Sequence, residues 1–421
     1  MKILVYSANY APEQTGIGKY SGEMATWLVR NGHEVRVIAA PPYYPHWQVA
    51  ANYKGKGYQH EVIDGVSVYR APLWVPKKPS GLTRLVHLMS FAVSSLPLAL
   101  SQVFWKPDVV FTVAPAFVCA PTAWLTARLC NAVAWLHVQD FEVDVAFRLG
   151  LLKNAWMRRS ITLLESWIFR RFDRVSSISN RMLAQARRKG VRQSSLVFFP
   201  NWVDIDHINP SARGETYREE LGLTSEQVVF LYSGSLGAKQ GLQMIPEAAK
   251  RLKSSQIAVV ICGDGVMKEQ LQDACANMSN VRFLPLQPVA RLGELLAMAD
   301  VHLLPQSASA EDLVLPSKLS GMLASGRPVI ATCHEGTELS DVVTKCGVVV
   351  EPENVDALAA AMDQLAASAE ERATLGARGR AYAEQYLATD SILTRFVIDL
   401  LSLPGERVVP CAPPLASRVD P

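Results

Sequence analysis

The chain has 421 residues, of which 49% are hydrophobic and 19% charged, and its net charge is +3. At about 150 residues per domain, this length predicts two or three domains, each long enough to bury a core. The composition is too apolar for a disordered chain, and the 25 glycines and 25 prolines follow no collagen-like period.

The charge is distributed unevenly between the two halves. Residues 1–200 carry 24 Lys+Arg and 11 Asp+Glu, a net charge of +13, whereas residues 201–421 carry 18 and 28, a net charge of −10. A basic half indicates an anionic partner, such as a phosphorylated substrate, an anionic lipid or a nucleic acid. Nucleic acid is the least favoured of these, because no basic stripe interleaved with aromatic residues is present.

The seven cysteines include no C-x-x-C pair. We therefore expect reduced, mostly buried thiols in a cytosolic protein rather than a disulfide framework or a zinc ribbon. The first residues lack a basic segment followed by a long apolar run, so no signal peptide is expected.

The first half alternates short apolar runs with helical patterns. The predicted helices are Tyr20–Asn31, Thr122–Leu129 and Asn154–Phe172. The predicted strands are Ile3–Ser7, Glu34–Ala40, Val109–Val113, Val133–Val138, Val175–Ser179 and Val197–Phe199. This alternation is typical of βαβ units and a parallel sheet.

The second half repeats the alternation, and helical patterns separate most of its strands. These predicted strands are Val228–Ser233, Ile257–Cys262, Val281–Leu284, Val301–Leu304, Val329–Thr332 and Val348–Val350. Two such series, joined near residues 201–214, predict an α/β protein with two Rossmann-like parallel-sheet domains that face each other across a cleft. The proline-containing tail, residues 404–421, is predicted to be disordered.

One segment breaks the pattern. Residues 85–105 are apolar and uncharged, but they contain four serines and Pro97. A membrane-spanning helix needs roughly 20 mainly apolar residues, and the serines and the proline make this segment a poor candidate. A helix packed on the sheet, or an interfacial helix flanked by Lys77, Lys78, Arg84 and Lys106, is expected instead.

The first βα loop is rich in glycine. Gly16, Gly18 and Gly22 resemble a dinucleotide fingerprint, in which backbone N–H groups approach a phosphate at a helix N-terminus. Eight residues separate Ser7 from Gly16, too many for the tight Rossmann turn, and no acid follows the second strand to hold a ribose. The loop is therefore expected to bind a sugar or a phosphate rather than NAD(P).

His137 and Asp140 lie at the end of the strand Val133–Val138. A lone histidine on a strand is commonly a hydrogen-bonded core residue. Here the strand end faces the ligand crevice of a doubly wound sheet, and the acids 142 and 144 follow, so a site role is predicted. Metal binding by this acidic cluster is less favoured, because no second histidine or clear ligand spacing supports it.

Three candidate ligand-binding segments follow strands of the second half. Small residues and then Lys239 follow the first strand, residues 263–265 follow the next strand and could contact a base or a ribose, and Pro316, Ser317 and Lys318 precede a helix. Backbone donors with a compact cation suit a diphosphate. These segments predict a nucleotide-diphosphate site lined by Ser233, Gly234, Ser235, Gly263, Asp264, Gly265, Pro316, Ser317 and Lys318.

Three segments together resemble a known family: residues 137–144 (HVQDFEVD), 201–204 (NWVD) and 313–318 (LVLPSK). They resemble the GT-B glycosyltransferases of retaining family 4, and within it the WcaI-type fucosyltransferases of colanic acid biosynthesis. The resemblance covers roughly residues 1–402. It implies a nucleotide sugar, with GDP-fucose as the expected donor, bound mainly by the second domain. It also implies a sugar acceptor on polyprenyl diphosphate, held against the first domain.

The resemblance also implies residue roles. Gly16 and Gly18 correspond to the family's glycine-rich loop, His137 to its histidine near the reaction centre, and Lys239 to its donor-diphosphate lysine, with Lys318 as a second cation. Lys19, Asp140 and Asn201 are assigned to acceptor or sugar positioning. The implied domains are 1–205 and 206–388, with 389–403 crossing back to the first domain as a helix over residues 390–401.

The chain departs from the family pattern in two places. Ser235 and Leu236 occupy the position of the family's arginine in the first loop of the second domain. The E-x7-E pair falls on Leu313 and Gly321, although residues 311 and 312 are acidic. Glu338 is a candidate replacement for the missing ribose-binding glutamate.

The predicted function is glycosyl transfer in exopolysaccharide biosynthesis. No covalent cofactor and no metal are required, although Mg²⁺ is possible. The basic first half predicts peripheral binding at the inner face of the cytoplasmic membrane. A UDP-sugar donor, a sugar nucleotide 2-epimerase of similar fold and, less favoured, an NADP-dependent oxidoreductase are the alternatives.

Overall fold

A computed structural model describes residues 1–13, 16–78, 80–114, 117–141, 155–237, 240–308 and 315–402. Lys239, the acids at 142, 144, 311 and 312, and the tail 404–421 lie outside the described residues. The described residues contain two parallel α/β sheets, so the predicted fold class is confirmed.

The first domain contains an eight-stranded sheet in the order β3-β4-β2-β1-β5-β6-β7-β8. Its strands are β1 (Lys2–Tyr6), β2 (Glu34–Ala39), β3 (Gln59–Ile63), β4 (Val66–Arg70), β5 (Val109–Ala114), β6 (Val133–Val138), β7 (Arg174–Ser177) and β8 (Leu196–Phe198). All neighbouring pairs are parallel except β3 and β4. The central strands are buried on both faces, which explains why they read as continuous apolar runs.

The edge hairpin β3–β4 was not predicted. Its turn is Asp64-Gly65, and both residues have positive φ, 49° and 81°. An Asp-Gly pair between alternating residues is a strong hairpin signal, so the sequence contained the necessary information. The last residue of β4, Arg70, is fully buried and donates to Glu61 and to the carbonyl of Ala40.

Helices cover both faces of the first sheet. Four pack on one face: α2 (Gly81–Ser101), α3 (Ala120–Cys130), α4 (Ala155–Phe169) and α5 (Asn180–Arg188). On the other face lie α1 (Gly16–Arg30) and the last helix of the chain, α14 (Thr389–Leu401). Because α2 to α5 share one face, their outer sides form one surface of the domain.

The apolar segment 85–105 forms most of helix α2, which starts four residues earlier than the segment. A capping box explains the earlier start, since Ser80 and Thr83 satisfy each other's backbone amides. By length and composition, Gly81–Phe104 qualifies as a membrane span among the described helices, although 28% of its most apolar stretch is buried in the domain.

The second domain contains a six-stranded parallel sheet in the order β11-β10-β9-β12-β13-β14. Its strands are β9 (Val228–Ser233), β10 (Ile257–Cys262), β11 (Val281–Leu284), β12 (Val301–Leu304), β13 (Val329–Thr332) and β14 (Gly347–Val350). Five of these six have the predicted bounds, and β14 begins one residue earlier. The helices are α6 (Glu215–Glu220), α7 (Met244–Ala249), α8 (Lys268–Ala274), α9 (Leu292–Met298), α10 (Lys318–Ala324), α11 (Glu338–Val343), α12 (Val355–Ala367) and α13 (Ala369–Tyr386).

Helix α14 returns to the first domain. Its buried side chains, Phe396 among them, join the core beneath the first sheet. The connecting strand-like segment pairs with the interdomain linker, since Val203 N donates to Leu387 O at 2.8 Å and Thr389 N to Val203 O at 3.2 Å. The Trp27 indole also donates to Asp390 at 2.6 Å. The end of the chain therefore ties the two domains together.

Candidate active site

The candidate site begins at the carboxyl edge of the second sheet. Strands β9 and β10 are neighbours and parallel, so their following loops emerge side by side. The loop 233–235 follows β9, and the loop 263–265 follows β10. Helix α10, which begins at Lys318, brings the third predicted segment to the same edge. The three segments that were predicted to bind a nucleotide diphosphate thus converge.

The two glycine loops are in backbone contact. A Cβ on Gly263 would lie 1.9 Å from the carbonyl oxygen of Gly234, and a Cβ on Gly265 would lie 2.5 Å from that of Leu236. Both glycines have φ near +150°, which side chains rarely adopt. The amide of Leu236 also donates to Asp264 O at 2.8 Å. Glycine is required here for packing between the loops, whether or not a ligand is bound.

Lys318 points at these loops. Its ammonium nitrogen donates to the Tyr232 hydroxyl at 2.9 Å and lies 4.2 Å from the centre of the Tyr232 ring. The same atom is 3.0 Å from where a Cβ on Gly234 would be. Burial lowers the pKa of Lys318 from 10.5 to about 8. At neutral pH this is a mostly protonated cation with little water around it, which suits an anionic ligand.

Tyr232 was not predicted as a site residue. Its hydroxyl donates to Ser235 O at 2.6 Å while it accepts from Lys318, so it links the β9 loop to the lysine. Burial raises the pKa of the hydroxyl, which keeps it a neutral hydrogen-bonding group. Its position just before the Ser-Gly-Ser loop indicates a site residue only weakly, because a tyrosine in a buried strand is more often a core residue.

The other predicted residues lie in the loops and the helix start at this edge. Ser233, Gly234 and Pro316 are half-buried, whereas Ser235, Asp264 and Ser317 are exposed. The Asp264 carboxylate lies 3.6 Å from the ammonium of Lys268. Position 321, where the family's second glutamate would fall, borders the core. A Cβ there would lie 3.3 Å from Leu296 and 3.7 Å from Ile208.

The first βα loop is organised around Glu13, a residue that the sequence analysis missed. The carboxylate is buried and accepts from the amides of Tyr43 and Tyr44, each at 2.9 Å, and from the Asn9 side chain at 2.9 Å. Burial raises its pKa, although these hydrogen bonds oppose the shift. A Cβ on Gly18 would lie 2.6 Å from Glu13 Cβ, so this glycine lets α1 start close to the loop. Glu13 is the single acid in an otherwise uncharged loop, and this sequence feature could have identified it as a candidate site residue.

Two contacts bring the domains together beside the site. The buried Tyr20 hydroxyl of α1 lies close to the side chain of Ser320 in α10, two residues beyond Lys318. Tyr20 also packs edge-on against Trp202, whose indole donates to Glu23 at 2.9 Å. Because the contact between Tyr20 and Ser320 joins α1 to α10, the glycine-rich start of α1 and Lys318 lie on facing sides of the cleft.

Glu338 makes the second interdomain contact. Its carboxylate accepts from the backbone amides of Asn180 at 2.9 Å and Arg181 at 3.3 Å, at the N-terminus of α5. The Arg181 guanidinium donates back to the carbonyl of Gly336. A carboxylate at a helix N-terminus is a favourable pairing. The contacts of Glu338 therefore differ from the donor contact that was predicted for it.

His137 has the surroundings of a core residue. Its Nδ1 lies 2.9 Å from Ser176 Oγ, and its ring packs against Phe111 and Phe199 at 5.7 and 5.2 Å. Burial lowers its pKa to about 3, so the ring is neutral. The ring joins the aromatic cluster beneath α14, as the core alternative expects, and its role near the reaction centre stays a prediction.

The predicted acceptor residues are spread along the first domain and its linker. Lys19 lies 3.8 Å from Glu23 and 5.0 Å from the Tyr20 ring centre. Asp140 is exposed just after β6, and Asn201 is half-buried in the linker. Among the described residues, no group of three His, Cys, Asp or Glu side chains is arranged to hold a metal ion.

Two known protein families together match most of the chain. Residues 15–202 match the family described as Glycosyl transferase 4-like domain, and residues 214–382 match Glycosyl transferases group 1. Over 410 residues the chain is 42% identical to the colanic acid biosynthesis glycosyl transferase WcaI of Escherichia coli (strain K12). That alignment covers 95% of this chain and all of the relative.

Solved structures share the fold. Sucrose-phosphate synthase from Thermosynechococcus elongatus superposes with a TM-score of 0.70 at 16% identity, covering 94% of this chain and 97% of that one. HepE of Anabaena, solved with UDP-glucose, gives a TM-score of 0.68 at 15% identity, covering 96% of this chain and all of that one. At these identities the likeness shows the fold alone. From the two family matches and the full-length relative, the chain belongs to the WcaI-type glycosyltransferases of family 4, enzymes with the GT-B fold.

Proposed function

We propose that this glycosyltransferase moves fucose from GDP-fucose to a sugar carried on polyprenyl diphosphate, in the biosynthesis of a colanic-acid-like exopolysaccharide. The full-length relative named for colanic acid biosynthesis supports the pathway. The observation that carries the donor site is the convergence of Lys318 with the two glycine loops at one sheet edge.

The chemistry of the donor explains why a lysine is needed there. When the bond between the sugar C1 and the diphosphate oxygen breaks, negative charge develops on the leaving diphosphate. A preorganised cation in a site with little water stabilises that charge more than it would in bulk water. Lys318 meets this requirement, because the Tyr232 hydroxyl and ring hold its ammonium beside the backbone of Gly234.

The proposed transfer occurs on one face of the sugar. The acceptor oxygen forms the new bond to C1 while the old C1–oxygen bond breaks, and the acceptor proton passes to the departing diphosphate. This route needs no enzyme nucleophile, and Lys318 with backbone amides supplies the charge stabilisation. We therefore propose that neither a metal nor a cofactor is required.

The acceptor side of the proposal rests on the first domain. The start of α1, with Gly16, Gly18 and Lys19, faces α10 across the cleft through the Tyr20–Ser320 contact. A lipid-linked acceptor would place the enzyme at the inner face of the cytoplasmic membrane. The net charge of +13 over residues 1–200 supports that location.

Thermal unfolding with nucleotides tests the donor. GDP at about 100 times its dissociation constant is expected to add roughly 2.7 kcal/mol of stability and to raise Tm by several degrees. UDP, ADP and NADPH are compared at equal concentration. A Tm shift with UDP alone would replace GDP-fucose by a UDP-sugar as the proposed donor, and a shift with NADPH alone would overturn the proposed transferase site.

If GDP binds, GDP-fucose is then assayed with and without a lipid-linked acceptor. Free sugar released without acceptor would favour the 2-epimerase alternative.

The pH dependence of GDP binding tests Lys318 directly. Since its pKa is about 8, the ammonium loses its charge between about pH 7 and 9. Affinity for GDP is expected to fall over this interval, approaching tenfold per pH unit above the pKa.

The free energy of unfolding of the unliganded enzyme is expected to change with pH in the opposite direction. The unfolded lysine keeps its ordinary pKa and binds more protons between pH 8 and 10, so stability rises with pH.

Lys318→Arg is the matched control for this profile, because arginine stays charged throughout the range. Titration calorimetry from pH 7 to about 9.5 should give a flat affinity for this variant and a declining one for the wild type. Parallel declines in both proteins would assign the pH effect to a group other than Lys318.

A further inference from the structure

Helix α2 presents an apolar face to solvent. Its side chains on this face lie within an arc of about 100° at 3.6 residues per turn. They are more than one-third exposed and are Leu82, Leu85, Val86, Met89, Val93 and Leu96. A surface helix of a globular protein normally turns polar residues outward, so this face is inverted relative to an ordinary packed helix.

The neighbouring helices extend the apolar surface. Trp124 of α3 contacts Trp167 of α4 at 6.1 Å between ring centres, and the Arg171 guanidinium lies 4.6 Å from the Trp167 ring. The exposed apolar residues on these helices are Leu125, Leu129, Trp156, Leu163, Leu164 and Trp167. We name the outer side of α2, α3 and α4 the apolar surface. It covers one side of the first domain, opposite the face that holds α1 and α14.

The charged residues on the helices around the apolar surface are almost all basic, and the neighbouring acid Asp173 is paired with Arg128 at 2.9 Å. Helices α2 to α5 contain seven arginines and a single acid, Glu165. That glutamate is buried and lies 2.6 Å from the ammonium of Lys189. Lys77, Lys78 and Lys106 flank the two ends of α2 and are exposed. An apolar face rimmed by arginine and lysine complements the headgroups and acyl chains of an anionic bilayer.

The inward side of α2 is incompatible with crossing a bilayer. His87 Nδ1 lies 2.6 Å from the carbonyl of Trp74, and Ser95 hydrogen-bonds Tyr6 of the central strand. Phe91 and Ala99 belong to the core of the first domain. A spanning orientation would strip this helix from the sheet and expose that core.

We propose that the apolar surface docks on an anionic lipid bilayer, with α2 lying in the plane of the interface and its apolar side chains inserted among the lipids. The proposal rests on the surface of the first domain and not on the identity of the donor or acceptor. Its failure would therefore leave the donor-site proposal intact. The active-site cleft would then be held at a constant height above the membrane.

The test is co-sedimentation of the full chain with vesicles of phosphatidylglycerol and phosphatidylcholine in equal parts. The double substitution Val86→Glu with Val93→Glu places two charges on the inserted face, at side chains that are 48% and 67% exposed. Affinity is expected to drop about a hundredfold, since charged side chains are costly below the headgroups. Val266→Glu in the second domain, where the side chain is 87% exposed, is the matched control and should bind like the wild type.

Further measurements distinguish insertion into an anionic bilayer from other kinds of binding. Pure phosphatidylcholine should bind at least tenfold more weakly, and salt should weaken binding to the anionic vesicles. Thermal unfolding of the double variant should match the wild type, because both positions are exposed. Equal binding of the wild type and double variant would overturn insertion. Absence of vesicle binding at low salt, tighter binding to RNA than to vesicles, or release only by detergent would overturn the proposal as a whole.

Discussion

Replacing Lys318 by alanine is expected to lower kcat/KM for sugar transfer by about a hundredfold to a thousandfold, the usual cost of removing one preorganised stabiliser of transition-state charge. The ammonium has a defined position, 2.9 Å from the Tyr232 hydroxyl and against the backbone of Gly234. Because the developing charge is on the leaving diphosphate, kcat should fall more than the affinity for GDP. Steady-state kinetics with calorimetry of GDP binding measure the two separately.

Two further variants serve as comparisons for Lys318→Ala. Tyr232→Phe keeps the ring under the ammonium and removes the hydroxyl, so an intermediate loss of about tenfold is expected. Lys250→Ala removes a half-exposed lysine paired with Glu247 in the same domain and should change kcat/KM less than twofold. Full activity in Lys318→Ala would assign the leaving-group charge to another cation, with Lys239 the first to examine.

Gly263→Ala is expected to destabilise the second domain by about 3–5 kcal/mol, from backbone strain and forced displacement of the neighbouring loop. The φ of Gly263 is 154°, and the added methyl would lie 1.9 Å from the carbonyl oxygen of Gly234. No side-chain rotation can relieve this clash, because the carbonyl oxygen of Gly234 is a backbone atom. Since Gly234 borders Lys318, any protein that folds should also bind GDP poorly. Chemical denaturation and calorimetry measure both effects.

Gly55→Ala is the control for conformational strain without a clash. Gly55 also has a positive φ, 76°, but a Cβ there meets nothing within 4 Å. Its expected cost is about 1 kcal/mol, with GDP binding unchanged. Similar losses of stability in the two variants would mean that φ alone, and not contact between the loops, requires glycine at position 263.

Two contacts, one between α1 and α10 and one between Glu338 and α5, also hold the two domains together. Ser320, two residues beyond Lys318 along α10, reaches Tyr20 of α1, and Glu338 caps the first turn of α5. Each contact joins a helix start in one domain to a group in the other. The first-domain loop built on Glu13 therefore faces the candidate donor-binding edge without any covalent connection beyond the linker and α14.

The strands and the glycine-bearing loops were predictable, because parallel strands buried on both faces read as short β-branched runs. Five of the six strands in the second sheet have their predicted bounds. The hairpin β3–β4 was missed although Asp64-Gly65 is a hairpin turn, because its strands are half-exposed and only weakly apolar. The start of α2 was missed because a serine cap, rather than the apolar run, determines it.

The sequence by itself determined the two-domain α/β architecture, the opposite charges of the two halves and the candidate phosphate-binding edge, since these depend on local periodicity, composition and strand-end motifs. The tertiary structure alone decided which candidates meet. Lys318 reaches Gly234 across 84 positions of sequence, whereas His137 turns into the aromatic core and Glu338 caps a helix of the other domain. It also decided that α2 is half core and half exposed. Such contacts depend on the packing of whole elements, and no local pattern of residues encodes the direction in which one side chain points.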